Sequence, residues 1–523
     1  MQLQSYNKKL VGANTYTKKM TTTEFKHAVL ERFGLPPTAD QCNALDVFTS
    51  FLAVRQGMPV MIFRGSAGTG KTSLVAAMVN TLCALKQRVV LMAPTGRAAK
   101  VLSLNCSLPA TTIHRRIYRQ KRVGGDFCLD VNMYSDTLFV VDEASMISTM
   151  PQLPSEGIPA FIGNGGGVID DLVTYVYSGR NCRMMLIGDT AQLPPVGEDE
   201  APALQSGVMG CYGLDTFECD LHEVVRQKQE SGILWNATMI RRLITHDEAT
   251  ALPRILLKGF ADIRVVQGSE LIDALSSSYG SVGIDDTVVI TRSNKRATIY
   301  NRGIRAQVVD QDGELCSGDR LMVVKNHYFD ESPSAPSPVV ASANGDGSVQ
   351  GVQGQDAAGT GLLLSFIANG DIALVQRVRN VRELYGFRFA DLTLCFPDYN
   401  DMEMQLTAIL DALHTDAPAL SAAQQKQLYD GVMEDYMDIP RKADRLKAVR
   451  EDIYYNALQV KFAYAITCHK AQGGQWRHVY VDQGYMTDDM LTPDYIHWLY
   501  TAFTRATETL YLVNWPKEQI AQL

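Results

Sequence analysis

The sequence lacks three features that would each have fixed its class at once. Its ten cysteines form no Cys-x-x-Cys pair, no apolar run approaches 18 residues, and the first nineteen residues (MQLQSYNKKLVGANTYTKK) hold no apolar core. The first absence excludes a zinc ribbon, and so few cysteines in 523 residues exclude a disulfide scaffold. The second argues against a membrane-spanning helix and the third against a signal peptide. Cysteines 42, 83, 106, 128, 182, 211, 219, 316, 395 and 468 therefore read as reduced thiols, and a cytoplasmic location without membrane contact is expected. A hydrophobic fraction of 46% rules out global disorder. At about 150 residues per domain the length implies three or four domains. Basic residues are also in deficit, 49 against 57 acidic, and the net charge of −8 argues mildly against a polyanionic partner.

A local absence reverses that argument. No Asp or Glu occurs from Val47 to Gly125, whereas Arg55, Arg64, Lys71, Lys86, Arg88, Arg97, Lys100, Arg115, Arg116, Arg119, Lys121 and Arg122 all do. The stretch carries +12 and the remainder −20, so a polyanion has one favoured place to bind.

Short apolar runs recur at Val60–Arg64, Val89–Ala93, Thr137–Val141, Met184–Ile187, Thr287–Ile290, Val479–Val481 and Leu510–Val513. Several are separated by helical patterns, as in parallel sheets whose strands are buried on both faces. They fall before residue 190 and after residue 285, which predicts two α/β domains. Arg320–Lys325 and Asp371–Arg377 follow Gly-Asp turns, and Tyr385–Leu394 alternates, so a small β-barrel is predicted within the second domain. The Ser-, Pro- and Gly-rich residues 331–361 read as a mobile loop. Met402–Lys447 reads as largely helical, with Ser421 capping a helix over Ala422–Tyr436.

Chemistry enters at Gly65-Ser66-Ala67-Gly68-Thr69-Gly70-Lys71-Thr72, which follows the first strand and opens a helical pattern. Glycines at this spacing let backbone N–H groups converge on phosphate oxygens at a helix N-terminus. Lys71 is placed for the β- and γ-phosphates of ATP and Thr72 for Mg²⁺. The strand Thr137–Val141 delivers Asp142, a second Mg²⁺ ligand, and Glu143, which would orient or activate the attacking water. A third strand ends at Gly188-Asp189-Thr190-Ala191-Gln192-Leu193-Pro194-Pro195, placing Gln192 in a loop stiffened by two prolines. A guanine-specific reading fails, because the nearest Asn-Lys-x-Asp candidate, Asn294-Lys295-Arg296-Ala297, ends in Ala.

This order of motifs resembles superfamily-1 DNA helicases, and among them the RecD/Dda-like 1B branch, from about Gln41 to Val513. The resemblance implies that Gln41 recognises adenine and that Gln192 couples the γ-phosphate to the DNA-binding loops. Arg226, in Val224-Val225-Arg226-Gln227, would approach the γ-phosphate from the second domain. Arg505, in Tyr500-Thr501-Ala502-Phe503-Thr504-Arg505-Ala506, would be the arginine finger, worth about 10³–10⁵ in rate. Pro94, Thr95 and Arg97 in one motif, and Thr112 and His114 in the next, would touch single-stranded DNA. Thr467, His469 and Gly473 belong to the motif that contacts both DNA and nucleotide. His114, Tyr118 and Trp476 are candidates for base stacking, with core packing the more common fate of such rings.

The implied architecture is two RecA-like P-loop NTPase domains, with a pin insertion in the first and an SH3-like barrel plus helices in the second. Expected bounds are 36–225 for the first domain with a pin near 115–136, 226–310 with 455–523 for the second, and 311–454 for the insertion. The pin candidate Arg116–Tyr134 is compact and turns at Gly124-Gly125, and no nuclease signature follows Arg505. The purpose of residues 150–182 does not follow from the sequence. The expected activity is ATP-driven unwinding at single-strand/duplex junctions, with 5′→3′ polarity implied by the branch alone and a monomeric active form. Two alternatives stay open: an ATPase subunit of a helicase–nuclease assembly, and a strand-stimulated ATPase that remodels bound protein without unwinding.

Overall fold

A computed structural model describes residues 21–120, 127–151, 161–162, 166–224, 231–245, 252–328, 366–399, 401–487 and 490–521. The amino-terminal half contains strands β1 (Pro59–Gly65), β2 (Arg88–Ala93), β3 (Ala110–Thr112), β4 (Tyr118–Gln120), β5 (Phe127–Leu129), β6 (Thr137–Val141), β7 (Phe161–Ile162), β8 (Arg183–Gly188) and β9 (Asp215–Leu221). Six of them form a parallel sheet in the order β3-β2-β6-β8-β1-β9. Every residue of β6 is buried, because helices cover both faces and no polar alternation is needed. Phe63, Leu74 and Met185 belong to the core on one face, and Ile62, Phe139 and Leu186 to the core on the other.

Within the pin candidate β4 and β5 pair antiparallel, and the residues between them lie outside the described residues. β7 adds to this pair in parallel, so part of the segment 150–182 extends the pin sheet. The helix Val168–Ser178 follows and packs against the first sheet.

The second half adds β10 (Ile263–Val266), β11 (Thr287–Thr291), β12 (Arg320–Val323), β13 (His327–Tyr328), β14 (Phe366–Ile367), β15 (Ile372–Leu384), β16 (Phe387–Phe396), β17 (Met402–Ile409), β18 (Leu458–Phe462), β19 (Ala465–Thr467), β20 (Trp476–Asp482) and β21 (Ala506–Val513). The order β10-β21-β20-β11-β19 makes a second parallel sheet, giving the two RecA-like domains expected. β12, β15, β16, β17 and β18 close into the barrel.

Three expectations need correction. Met402–Ile409 is a strand, not helix: Met402, Met404, Leu406 and Ala408 alternate with polar residues, and barrel closure outweighs their helix propensity. Tyr385 is not in the strand but, with Gly386, forms the β15–β16 turn, both residues having positive φ (55° and 78°). β18 lies beyond residue 454, so the barrel's closing strand falls after the expected end of the insertion. Helices do occupy Ala422–Asp435 and Lys442–Glu451, and Ser421 caps the first by accepting from the Gln424 N–H. They cover the outer end of the β15–β16 hairpin, where Phe387, Phe389, Leu428 and Val432 form a separate core. The loop 331–361 and Arg226 lie outside the described residues.

Candidate active site

The phosphate loop runs from β1 into the helix Lys71–Ala84. Gly68 and Gly70 take φ of 79° and 75°, a conformation that L side chains rarely adopt. Lys71 Nζ donates to the carbonyls of Gly65 (3.0 Å) and Gly188 (3.1 Å), so it spans the loop toward β8. Thr72 is half-buried at the start of the helix. Gln41 is fully buried, and its Nε2 donates to Thr69 O (2.9 Å) while its Oε1 accepts from the Thr38 N–H. This amide thus sits against the phosphate loop, where a methyl at Gly70 would meet Gln41 Nε2 at 2.8 Å.

Asp142 leaves β6 half-buried, and its Oδ1 accepts from the Glu143 N–H (2.9 Å). Burial pushes its carboxyl up to about 6, the Glu143 charge adds to the rise, and Lys71 opposes it. Glu143 is held at φ 52°, a strained backbone for a non-glycine residue at the turn that aims its carboxylate. Among the described residues, no group of three His, Cys, Asp or Glu could hold a metal alone. A cation at Asp142 and Thr72 would therefore need oxygens from the nucleotide.

The second domain enters this site directly. Tyr500, on the helix Pro493–Phe503, accepts from the Ala67 N–H (3.1 Å) and donates to Asp189 Oδ2 (2.6 Å). Its neighbour Thr501 accepts from the Leu193 N–H (2.8 Å), and Gln472 Nε2 donates to Leu193 O (2.7 Å). Gln192 is buried in the same junction, and its Oε1 has no hydrogen-bond partner among the described residues. Burial and the Asp189 charge hold the Tyr500 hydroxyl well above its usual range, so it remains a donor at neutral pH. Neither Tyr500 nor Asp189 carries a signal that a single sequence exposes, because their pairing exists only across the domain interface.

Arg505 is 3% exposed, and it donates to Thr501 O (3.0 Å), Gly474 O (3.3 Å) and Thr504 Oγ1 (3.1 Å), all within its own domain. Val224, two residues before Arg226, packs on the phosphate loop: a methyl at Gly68 would meet Val224 Cγ1 at 3.1 Å.

The first-domain residues expected to touch a strand gather at the carboxyl ends of β2 and β3, on the same edge of the sheet as the phosphate loop but nearer its β3 end. Thr95 caps the helix Gly96–Cys106, and Thr112 caps Ile113–Ile117. Pro94, Thr95 and His114 are half-buried, Thr112 is buried and His469 is exposed. Burial pushes the His114 imidazole down to about 4, which keeps it neutral near pH 7. Gly473, from the motif expected to contact both DNA and nucleotide, lies beside these residues: a methyl on it would meet Ala98 Cβ at 2.8 Å and Thr95 Oγ1 at 3.3 Å. Arg97 stacks on the Trp476 ring at 4.0 Å and donates to Gln475 O (2.9 Å). Trp476 is 3% exposed, so its ring is unavailable to stack on a base. Tyr118 is held by a hydrogen bond to Asp171 (2.7 Å). All ten cysteines are unpaired, and among the described residues no helix is long and apolar enough to cross a membrane.

Residues 43–153 match an AAA domain, and residues 462–513 match the UvrD-like helicase C-terminal domain. The chain is 31% identical over 298 residues to the ATP-dependent RecD2 DNA helicase of Deinococcus radiodurans, a match covering 55% of this chain and 37% of that protein. It is 24% identical over 317 residues to the ATP-dependent DNA helicase dda of Enterobacteria phage T4, covering 56% and 62% respectively. The matches thus span less than two thirds of either relative. Among solved structures, Pif1 helicase from Bacteroides in complex with ADP-AlF3 and single-stranded DNA aligns over 94% of this chain and 95% of that one, at 14% identity and a TM-score of 0.44.

Proposed function

We propose that this chain, which its motifs and matched domains group with superfamily 1B helicases of the RecD/Dda branch, hydrolyses ATP between its two RecA-like domains and uses the cycle to move along single-stranded DNA and open duplex at the junction. The observation that carries this reading is the insertion of Tyr500 from the second domain between Ala67 of the phosphate loop and Asp189. Whatever fills the phosphate loop then changes a contact that both domains share, which is what conversion of hydrolysis into movement requires.

In this reading Lys71 and the amides of residues 67–72 bind the phosphates of ATP, and Gln41 stands at the loop where the base would lie. Thr72 and Asp142 hold Mg²⁺, which neutralises charge on the phosphates when bound. The donor set fits, since Asp142 stands beside the Glu143 carboxylate with Lys71 as counter-charge. Glu143 orients the attacking water. Arg226 and Arg505 stabilise charge on the transferred group once the domains close, and Gln192 passes its state to the strand-binding side. Thr95, Arg97, Thr112, His114, Thr467 and His469 would line the path of the strand. The 5′→3′ direction rests on the branch alone.

The test is steady-state ATPase with and without oligothymidylate. The reading expects strand-dependent stimulation that is lost in Lys71→Ala. Hydrolysis that no DNA stimulates, or full activity in that variant, contradicts it.

A further inference from the structure

The N-terminus of the helix Gly96–Cys106 is occupied by the barrel. A Cβ at position 96 would overlap Asp371 Oδ1 and lie 3.2 Å from the Tyr399 hydroxyl, so only glycine fits there while the barrel is docked. Asp371 is 1% exposed. Its Oδ2 accepts from the Ala368 N–H (2.8 Å) and the Tyr399 hydroxyl (2.5 Å), whereas Oδ1 points at Gly96 with no hydrogen-bond partner among the described residues. One turn along the same helix, Lys100 donates to Pro397 O (2.8 Å) and pairs with Asp398 (3.2 Å).

Burying a carboxylate oxygen without a donor is costly, and burial pushes this group up to about 7. What favours a negative charge there is first the Tyr399 hydroxyl and the Ala368 N–H, then Arg115, and the carboxylate also faces the positive end of the helix. A strand phosphate would seek the same helix end, the Thr95 hydroxyl and the two cations of that helix.

We propose that Asp371 occupies the seat of a strand phosphodiester in the DNA-free protein, and that a single strand binds by displacing the barrel's Asp371, Tyr399 and Asp398 from the helix Gly96–Cys106. The inference rests on the strand-binding reading of Thr95 and Arg97. It gives the barrel a regulatory role: one anion is exchanged for another, and Lys100 is released from Asp398 as the phosphate arrives. Short of displacement, the seat stays closed to DNA.

The test locks the contact. An ideal Cβ at position 96 lies 3.3 Å from Asp371 Cγ, the place a sulfur at position 371 would take, which brings the two positions within reach of a disulfide. Gly96→Cys with Asp371→Cys, with the exposed Cys42 and Cys211 changed to Ser, should bind fluorescent oligothymidylate about tenfold or more weakly when oxidised than after reduction. Equal affinity in the two redox forms overturns the proposal. Hydrogen exchange on the unaltered protein gives a second reading free of any folding defect. Oligothymidylate should speed exchange at residues 366–371 and 397–399, and protection there overturns displacement. If the unaltered protein binds no oligothymidylate, the strand-binding reading beneath the proposal fails instead.

Discussion

The Tyr500 hydroxyl joins the two domains at the phosphate loop, accepting from the Ala67 N–H at 3.1 Å while donating to Asp189 at 2.6 Å. Both groups lie where water is scarce, since Tyr500 and Asp189 are each 1% exposed. Leaving a buried donor or charged acceptor unsatisfied costs about 1–3 kcal/mol.

Tyr500→Phe keeps the ring and removes both bonds. DNA-stimulated kcat for ATP should fall by roughly 10- to 100-fold, the rate equivalent of those bonds, with a smaller change in KM. Steady-state ATPase across ATP concentrations measures the split. A rise in KM alone would mean that Tyr500 only shapes the binding pocket.

Glu143→Gln preserves shape at a position of positive φ but removes the base. ATP hydrolysis should drop by about 10²–10⁴, while binding of a fluorescent ATP analogue stays near that of the unaltered protein. Loss of binding in step with hydrolysis would place Glu143 in nucleotide affinity and not in the chemistry.

Arg505→Ala tests the finger. Its hydrogen bonds to Thr501, Gly474 and Thr504 all lie in its own domain, so a catalytic role requires domain closure. A loss of about 10³–10⁵ in kcat with ATP affinity retained is expected. A drop in melting temperature accompanied by only a small kinetic effect would mark Arg505 as structural.

Much of the fold was legible because buried parallel strands are written as contiguous apolar runs. Thr137–Val141 and Thr287–Thr291 are buried at every position, and Gly65–Thr72 needs no distant partner to be recognised. Met402–Ile409 misled because Met, Glu, Gln and Ala favour helices in isolation, whereas the decisive term is pairing with β16. Contacts between domains were not legible at all. Trp476, a stacking candidate for which core packing is the more common fate, is buried beneath Arg97, and Gly473 lies beside Thr95. The +12 stretch is also partly neutralised across the fold. Arg64 pairs with Glu218 and Asp220, Arg119 with Asp130 and Lys100 with Asp398, all acids drawn from outside the stretch.

Asp371 gives a pH signature. Its folded pKa, about 7, stands above the ordinary carboxylate value, because burial dominates; the nearby Asp398 charge adds, while Tyr399, the Ala368 N–H and Arg115 oppose. A raised carboxyl means that the folded form holds its proton longer. The associated stability is present below about pH 4 and is lost as pH rises to about 7. Melting temperature should fall across that window by more in the unaltered protein than in Asp371→Asn. Parallel curves would show that Asp371 does not titrate in this range.

Unwinding tests the whole account most directly. Duplexes carrying a 5′ tail, a 3′ tail or no tail are mixed with the protein and ATP, and strand separation is followed by fluorescence. The account predicts ATP-dependent separation of the 5′-tailed duplex, little of the others, and none with Lys71→Ala. Strand-stimulated ATP hydrolysis without separation of any duplex would contradict it.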